Sequence, residues 1–334
     1  MRSTSRLAAV VAVVAVGVSA ALAGCTADGA ATADGAGDSA THRIVLADGA
    51  AKSSMASAVF LYAQRRGIFA EHGIDIEMTY VTPAAAQAAL LAGDVDVAFD
   101  GDELMRAVAA SGSGKVFMTS GALPFAIFAD EALTVPELRG RTISSTTPGS
   151  SFSSALMKTL HDAGLDPDTD VEIVYLQTVA AQYAALQAGT VDAVLLSPPA
   201  TVRARQDGFS KVADIADKTS PGVFAVSSDY LSADRAAVVA FVSAMAEATE
   251  AARGDLEDLT EVFAEANPEV GADLIAASIA EAAPLWEVSP YPRSWAETIM
   301  AASPNAELRS TPLTAFTDTT LVEQAGAVGP QAVP

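Results

Sequence analysis

Two kinds of hydrophobic pattern alternate along residues 42–227. Short, continuous apolar runs read as buried strands, and stretches with apolar residues every three to four positions read as helices. Strands are expected at 42–47, 75–80, 95–99 and 115–119, and helices at 55–66, 84–91 and 102–109. The pattern then starts afresh. Strands are expected at 125–129, up to Ser144, and at 171–176, 191–196, 209–215 and 222–227; helices fill 152–163, 180–188 and 200–206. Thr134-Val135-Pro136-Glu137-Leu138 reads as a capped single turn. After Asp234 nearly everything reads as helix, at 236–252, 256–264 and 271–282. The alternation predicts an α/β protein whose sheets are rich in parallel strands, with helices on both faces.

One stretch occurs twice. Residues 86–101 read AQAALLAGDVDVAFDG and residues 182–197 read QYAALQAGTVDAVLLS. At an offset of 96, Ala89, Leu90, Ala92, Gly93, Val95 and Asp96 recur as Ala185, Leu186, Ala188, Gly189, Val191 and Asp192. Each copy reads as a helix closed by a glycine, a tight turn and a buried strand. Two copies, each behind another strand and helix, imply two similar α/β lobes. Asp96 and Asp192 stand at strand entries and read as structural.

The chain has 334 residues, 51% of them hydrophobic, enough for two cores. Residues 1–25 read as a leader: Arg2 and Arg6, an apolar run from Leu7 to Leu22, then Leu22-Ala23-Gly24-Cys25. That run is short for a spanning helix and fits a signal segment. LAGC resembles a bacterial lipobox, with cleavage before Cys25 and lipid on it. Residues 26–41 read as a flexible tether and 325–334 as a frayed tail. The expected location is therefore extracytoplasmic, held at the membrane by lipid. Without Arg2 and Arg6 the chain has 17 basic and 41 acidic side chains, a formal charge of −24. Such a surface repels nucleic acid and excludes that class of partner. Cys25 is the one cysteine, so no disulfide, thiolate metal site or cysteine nucleophile is expected beyond it.

Residues 63–77, from Ala63-Gln64-Arg65-Arg66-Gly67-Ile68-Phe69 to Gly73-Ile74-Asp75-Ile76-Glu77, are similar to a segment of one transport family. Gly93-Asp94-Val95-Asp96-Val97-Ala98, Glu137-Leu138-Arg139-Gly140-Arg141-Thr142-Ile143 and Gly189-Thr190-Val191-Asp192-Ala193 match its later motifs in order. Ser197-Pro198-Pro199 departs from it where a Glu-Pro is usual. The chain thus resembles the extracytoplasmic substrate-binding proteins of ABC importers, in the nitrate, sulfonate, taurine and thiamine-precursor group. The resemblance implies a type II periplasmic-binding fold. Lobe one would comprise 42–120 and 223–324 and lobe two 121–222, with crossings near 120–124 and 219–223 acting as the hinge. The C-terminal helices would pack on lobe one. It also implies a monomeric receptor that captures a small polar solute, a sulfonate- or nitrate-like anion or a thiamine-precursor-like heterocycle. That receptor would deliver it to a permease and ATPase, without a cofactor. The alternatives are a lipoprotein sensor for a signalling partner, or an enzyme on the same fold.

In open α/β sheets ligands sit beyond the carboxyl ends of strands. That rule selects the loops Asp48–Ser54 and Asp100–Glu103 in the first half, with Ser53, Ser54, Asp100 and Gly101 as candidate contacts. In the second it selects Thr146–Ser151, Gln177–Thr178 and Ser197–Pro198, with Gly149, Ser150, Ser151, Gln177 and Ser197 as candidate contacts. Serines at a helix start either contact an anion or cap the helix. Asp100 suits an amine, amidine or aminopyrimidine, whereas Asp102 reads as a helix cap. Phe125, Trp286, Tyr291 and Trp295 either stack on a ligand or pack in the core. His42, His72 and His161 are spread too widely for a metal site. The G-x-S-x-G motif is absent, since Gly149-Ser150-Ser151-Phe152-Ser153 ends in serine, and so is a phosphate-binding G-x-x-x-x-G-K-[ST]. The reading is a receptor, not an enzyme.

Overall fold

The computed structural model describes residues 41–50, 52–148, 150–219, 221–303 and 305–326. The expected leader, the lipid site at Cys25, the tether up to residue 40, Gly149, the side chain of Ser151 and the tail beyond Gly326 lie outside the described residues.

Eleven strands form two sheets among the described residues. In chain order they are β1 (His42–Asp48), β2 (Ile74–Tyr80), β3 (Val97–Asp100), β4 (Gly114–Gly121), β5 (Ala126–Ala129), β6 (Thr142–Ser145), β7 (Glu172–Tyr175), β8 (Ala193–Leu196), β9 (Ser210–Asp214), β10 (Val223–Ser227) and β11 (Trp286–Pro290). The first sheet has the order β11-β4-β10-β3-β1-β2 and the second β7-β6-β8-β5-β9. Both are mixed, not parallel-rich. β1 pairs in parallel with β2 and β3, and β6 with β7 and β8, but every remaining pairing is antiparallel. The reason is connectivity. The chain passes between the sheets twice, and each time the first strand it lays down, β5 or β10, runs against the strand beside it. A hydrophobic pattern marks such a strand as buried but carries no sign of its direction.

The helices are α1 (Ala58–Arg66), α2 (Ile68–Glu71), α3 (Pro83–Ala92), α4 (Asp102–Ser111), α5 (Ser151–Asp162), α6 (Val179–Gln187), α7 (Ala200–Gln206) and α8 (Ser228–Ala233). They continue as α9 (Arg235–Gly254), α10 (Leu256–Ala266), α11 (Ala272–Ala282), α12 (Arg293–Ala301), α13 (Ala306–Ser310), α14 (Leu313–Phe316) and α15 (Thr320–Gln324). None among the described residues is long and apolar enough to cross a membrane. The expected helix at 55–66 begins with a 3-10 turn, Met55–Ser57, before α1 takes over. The turn at Val135–Leu138 carries a capping box, with the Glu137 carboxylate accepting from the Thr134 amide at 2.7 Å.

The C-terminal region packs on the first sheet. Phe241, Val242 and Met245 of α9, Leu259 and Phe263 of α10, and Ile275 and Ile279 of α11 share one core with Ile44, Phe99, Phe117 and Phe224 of the strands. Rings dominate this core: Phe99 and Phe224 have centroids 4.7 Å apart, and Phe60 and Phe99 meet edge-on at 5.5 Å. The helical expectation fails at Trp286–Pro290, which instead forms edge strand β11 on β4. Its Pro290 sits at the strand end, where a missing amide costs little. The second sheet has its own cores, one around Ile127, Ile143, Leu156 and Leu195 and another around Phe128, Tyr183 and Leu196.

The two copies of the repeat fold alike. Gly93 and Gly189 take left-handed backbone at φ 77° and 64°, each closing a helix. The Asp96 carboxylate accepts from the Val45 amide at 2.8 Å, and the Asp96 amide donates to the Val45 carbonyl at 2.9 Å. Asp192 does the same with Thr142, at 2.8 Å in both directions. Each aspartate stitches a strand entry to its neighbour.

Candidate functional site

The carboxyl ends of the parallel strands in both sheets lie at the crossings. β4 runs in the same sense as β3, so Gly121 at its end lies on the same edge as Asp100, which pairs with Val223 at the start of β10. On the other side β5 starts at Ala126, opposite Leu196 at the end of β8. The Gly222 amide donates to the Gly121 carbonyl at 3.1 Å, tying the two crossings together.

At the first edge the dominant chemistry is acidic. Asp48, the last residue of β1, is fully buried. Its Oδ1 accepts from the Ala50 amide at 2.8 Å and its Oδ2 from the Ser57 hydroxyl at 2.7 Å. Burial pushes its carboxyl up to about 7, against the pull of those two hydrogen bonds; the neighbouring Asp100 charge pushes the same way. Asp100, half-buried at the end of β3, accepts from the Gln87 side-chain amide at 2.8 Å. Burial raises its pKa too, opposed by Gln87 and the Gly101 amide. Glu103 in the first turn of α4 is also raised by burial, with Arg106 lowering it from 3.5 Å and Asp100 raising it. Gly49 is forced by this crowding. A Cβ there would lie 3.0 Å from the Phe99 carbonyl oxygen and 3.2 Å from the Asp100 carboxyl carbon.

Tyr80, the last residue of β2, is opposite Asp48 in register. Its hydroxyl is buried without a hydrogen-bond partner among the described residues. Burial and the Asp48 charge both raise its pKa. Tyr80 and Gln87 were not among the residues singled out from sequence; Asp48 fell within the selected loop Asp48–Ser54 but was not named as a contact. The signal for Asp48 was there: it directly follows a buried strand, as Asp100 does.

The second edge is built from hydroxyls. Ser145, the last residue of β6, is fully buried and its hydroxyl meets that of Ser153 at 2.8 Å. Ser153 donates to the Thr147 carbonyl at 2.7 Å, and the Thr146 and Ser150 hydroxyls meet at 2.8 Å. Ser150 caps α5, accepting from the Ser153 amide at 3.2 Å. It is 6% exposed, so its capping duty is the part of the sequence reading visible here. Ser197 is buried behind the cis Pro198-Pro199 bond, and its carbonyl accepts from the Ala200 amide at 2.9 Å. Gln177 is exposed just past β7.

Among the remaining sequence candidates, Ser54 accepts from the Ala56 amide at 3.2 Å and both Ser53 and Ser54 are half-buried. Gly101, not Asp102, is the N-cap of α4; Asp102 is its first helical residue and is buried. Phe125, Trp286 and Tyr291 are each 3% exposed and belong to the cores. Phe125 packs against Phe152 at a tilt of 31°, with centroids 4.1 Å apart. No group of three or more His, Cys, Asp or Glu side chains among the described residues is arranged to hold a metal ion.

Residues 54–255 match the family model described as NMT1/THI5 like. A search of curated proteins returned no match. Among solved structures, the chain is similar to the periplasmic aliphatic sulphonate binding protein SsuA of Escherichia coli. The TM-score is 0.65 at 20% identity, over 79% of this chain and 85% of that one. It is similar to the alkanesulfonate-binding protein SsuA of Xanthomonas axonopodis pv. citri, described as bound to MOPS, with a TM-score of 0.64 at 22% identity over 82% and 94%. It is also similar to the periplasmic nitrate-binding protein NrtA of Synechocystis PCC 6803, with a TM-score of 0.68 at 12% identity over 86% and 88%. These identities carry the fold and not the ligand. With more than half of its length inside the family model and two mixed α/β lobes joined at their strand ends, the chain belongs to the NMT1/THI5-like family and has the periplasmic-binding fold.

Proposed function

We propose that the chain is the solute-binding receptor of an ABC importer, and that its solute carries an amine or another hydrogen-bond-donating group directed at Asp100. The observation that carries this reading is the pair of strand-end carboxylates, Asp48 and Asp100, both raised first by burial. An anion brought to that edge would push both carboxyls up further, on top of the burial that already lifts them. A cation or an aminated ring would lower them and donate a charge-assisted hydrogen bond to the carboxylate. The hydroxyl-lined second edge supplies polar groups for an uncharged part of the same solute. An aminated heterocycle fits this division better than a sulfonate or nitrate ion.

The solute is held between the lobes at the loops following β1, β3, β6 and β8. Ser53, Ser54, Gly101, Gly149, Ser150, Ser151, Gln177 and Ser197 remain the candidate contacts beside Asp100. Leu22-Ala23-Gly24-Cys25 supports acylation at Cys25 and an extracytoplasmic place at the membrane. Closure of the lobes on the solute would create the surface that a permease reads. The chain is a receptor and not an enzyme in this reading.

The test is to purify the protein with its solute, denature it and identify the released molecule by mass spectrometry. An unmodified amine or aminated heterocycle is expected. Release of a sulfonate would overturn the ligand class, and conversion of the molecule on incubation with fresh protein would overturn the receptor reading.

A further inference from the structure

Among the described residues, one ion pair joins the two halves away from the crossings. Glu281 lies on α11, whose Ile275 and Ile279 are embedded in the core of the first sheet. Its partners lie on α7, whose Ala204 is embedded in a core of the second. The Thr201 hydroxyl donates to Glu281 Oε2 at 3.0 Å, and the Arg205 guanidinium donates to Oε1. Both oxygens of one carboxylate are thus taken by the opposite lobe. Thr201 is 1% exposed, so its hydroxyl is committed to this contact, while Glu281 and Arg205 keep side-chain exposures of 28% and 40%.

The positions of the two helices give the contact its meaning. α7 begins directly after the loop Ser197-Pro198-Pro199 at the end of β8. α11 packs against the turn Met55–Ser57, which directly follows the loop after β1 and holds Ser57 on Asp48. Glu281 therefore ties together the two helices that stand behind facing loops of the strand ends. The crossings do not fix that separation alone, because they leave rotation about the segments around Gly121 and Gly222.

We infer that Glu281 is a latch: it holds the lobes in the approach seen here, and sets how closely the loops after β1 and β8 meet over a solute. A half-exposed ion pair biases such an equilibrium by at most about fivefold and does not lock it. The device so tuned lets the lobes open and close while favouring the arrangement seen here. It does not depend on which solute is bound.

Small-angle scattering from the folded chain, in 50 mM and 500 mM sodium chloride, tests it. The radius of gyration should rise for Glu281→Ala and for Arg205→Ala relative to the parent. High salt should raise that of the parent toward the variants, because the pair is screened. Thr201→Val should give a smaller rise. The charge-swapped double variant, Glu281→Arg with Arg205→Glu, should return toward the parent value, which loss of folding could not produce. Circular dichroism of each variant should be unchanged. Radii unchanged in folded Glu281→Ala and Arg205→Ala, or a charge swap as expanded as the single variants, would overturn the latch.

Discussion

The carboxyl edges of the two sheets share one scaffold and differ in chemistry. β1 and β6 each end on a buried residue whose carbonyl accepts from the first amide after the neighbouring strand, Val81 to Asp48 at 2.9 Å and Leu176 to Ser145 at 2.8 Å. Both end residues bond a serine at the helix start, Ser57 and Ser153. Both face a tyrosine in register, Tyr80 and Tyr175. Yet one end residue is an acid and the other a serine. One tyrosine hides its hydroxyl while the other is 40% exposed. Asp100 on β3 corresponds, at the repeat offset, to Leu196 on β8. The fold needs the shared geometry, so the divergence at the ends is where the proposed function puts recognition.

The largest expected effect separates the two edges by pH. Burial lifts the Asp48 carboxyl to about 7 in the folded chain, from 3.8 in an open one. The folded state therefore binds more protons than the unfolded state between about pH 4 and pH 7, and stability falls as pH rises through that window. The expected loss is about 4 kcal/mol, level above pH 7. Asp48→Asn keeps the shape, lets Ser57 turn to accept, and should flatten the curve of thermal midpoint against pH. An unchanged curve would mean that Asp48 is not the group responsible. Ser145→Asn or Ser145→Ala should leave the pH dependence as it is.

Next come the serine joints. Ser57→Ala removes a hydrogen bond to a buried carboxylate and should cost about 2 kcal/mol, against about 1 kcal/mol for Ser145→Ala, where both partners are neutral. Urea melts at pH 7.5 would show the order; equal costs would erase the proposed contrast. The smallest pair probes what the edges share. Asp96→Ala and Asp192→Ala each leave a strand amide without its carboxylate partner, at about 1 kcal/mol each. Similar losses at both sites, without change in ligand affinity, are expected if the repeat is scaffold.

Much of this was legible in the chain. The repeat announced two related units because glycine closes a helix and a following apolar run makes a buried strand, and Gly93 and Gly189 do this. The aspartates of the repeat read as structural, and each stitches two strands. Strand direction was not legible, since a pattern of burial is the same in either sense; β5 and β10 run antiparallel for reasons of connectivity. β11 was missed because Trp286-Glu287-Val288-Ser289-Pro290 sits in a helical context and is short, at a sheet edge. At the site, Asp100 was found by the strand-end rule. The same rule selected the loop from Asp48 to Ser54, but the reading fixed on its serines and not on Asp48. Its partner Ser57 lies nine residues away, and nothing local marks that contact. Ser150 was expected either to cap or to bind, and the cap is what the geometry displays.

The central claim is that the acidic edge selects a donor-bearing solute through Asp100. The direct measurement is the thermal shift of the parent and Asp100→Asn with two probes at equal concentration, an aminopyrimidine and taurine's non-aminated analogue ethanesulfonate. Saturation at about 100 times the dissociation constant stabilises by about 2.7 kcal/mol. The account predicts a shift of the parent by the aminopyrimidine, at least a tenfold weaker response in Asp100→Asn, and no shift by ethanesulfonate. A shift by ethanesulfonate that survives Asp100→Asn would contradict it.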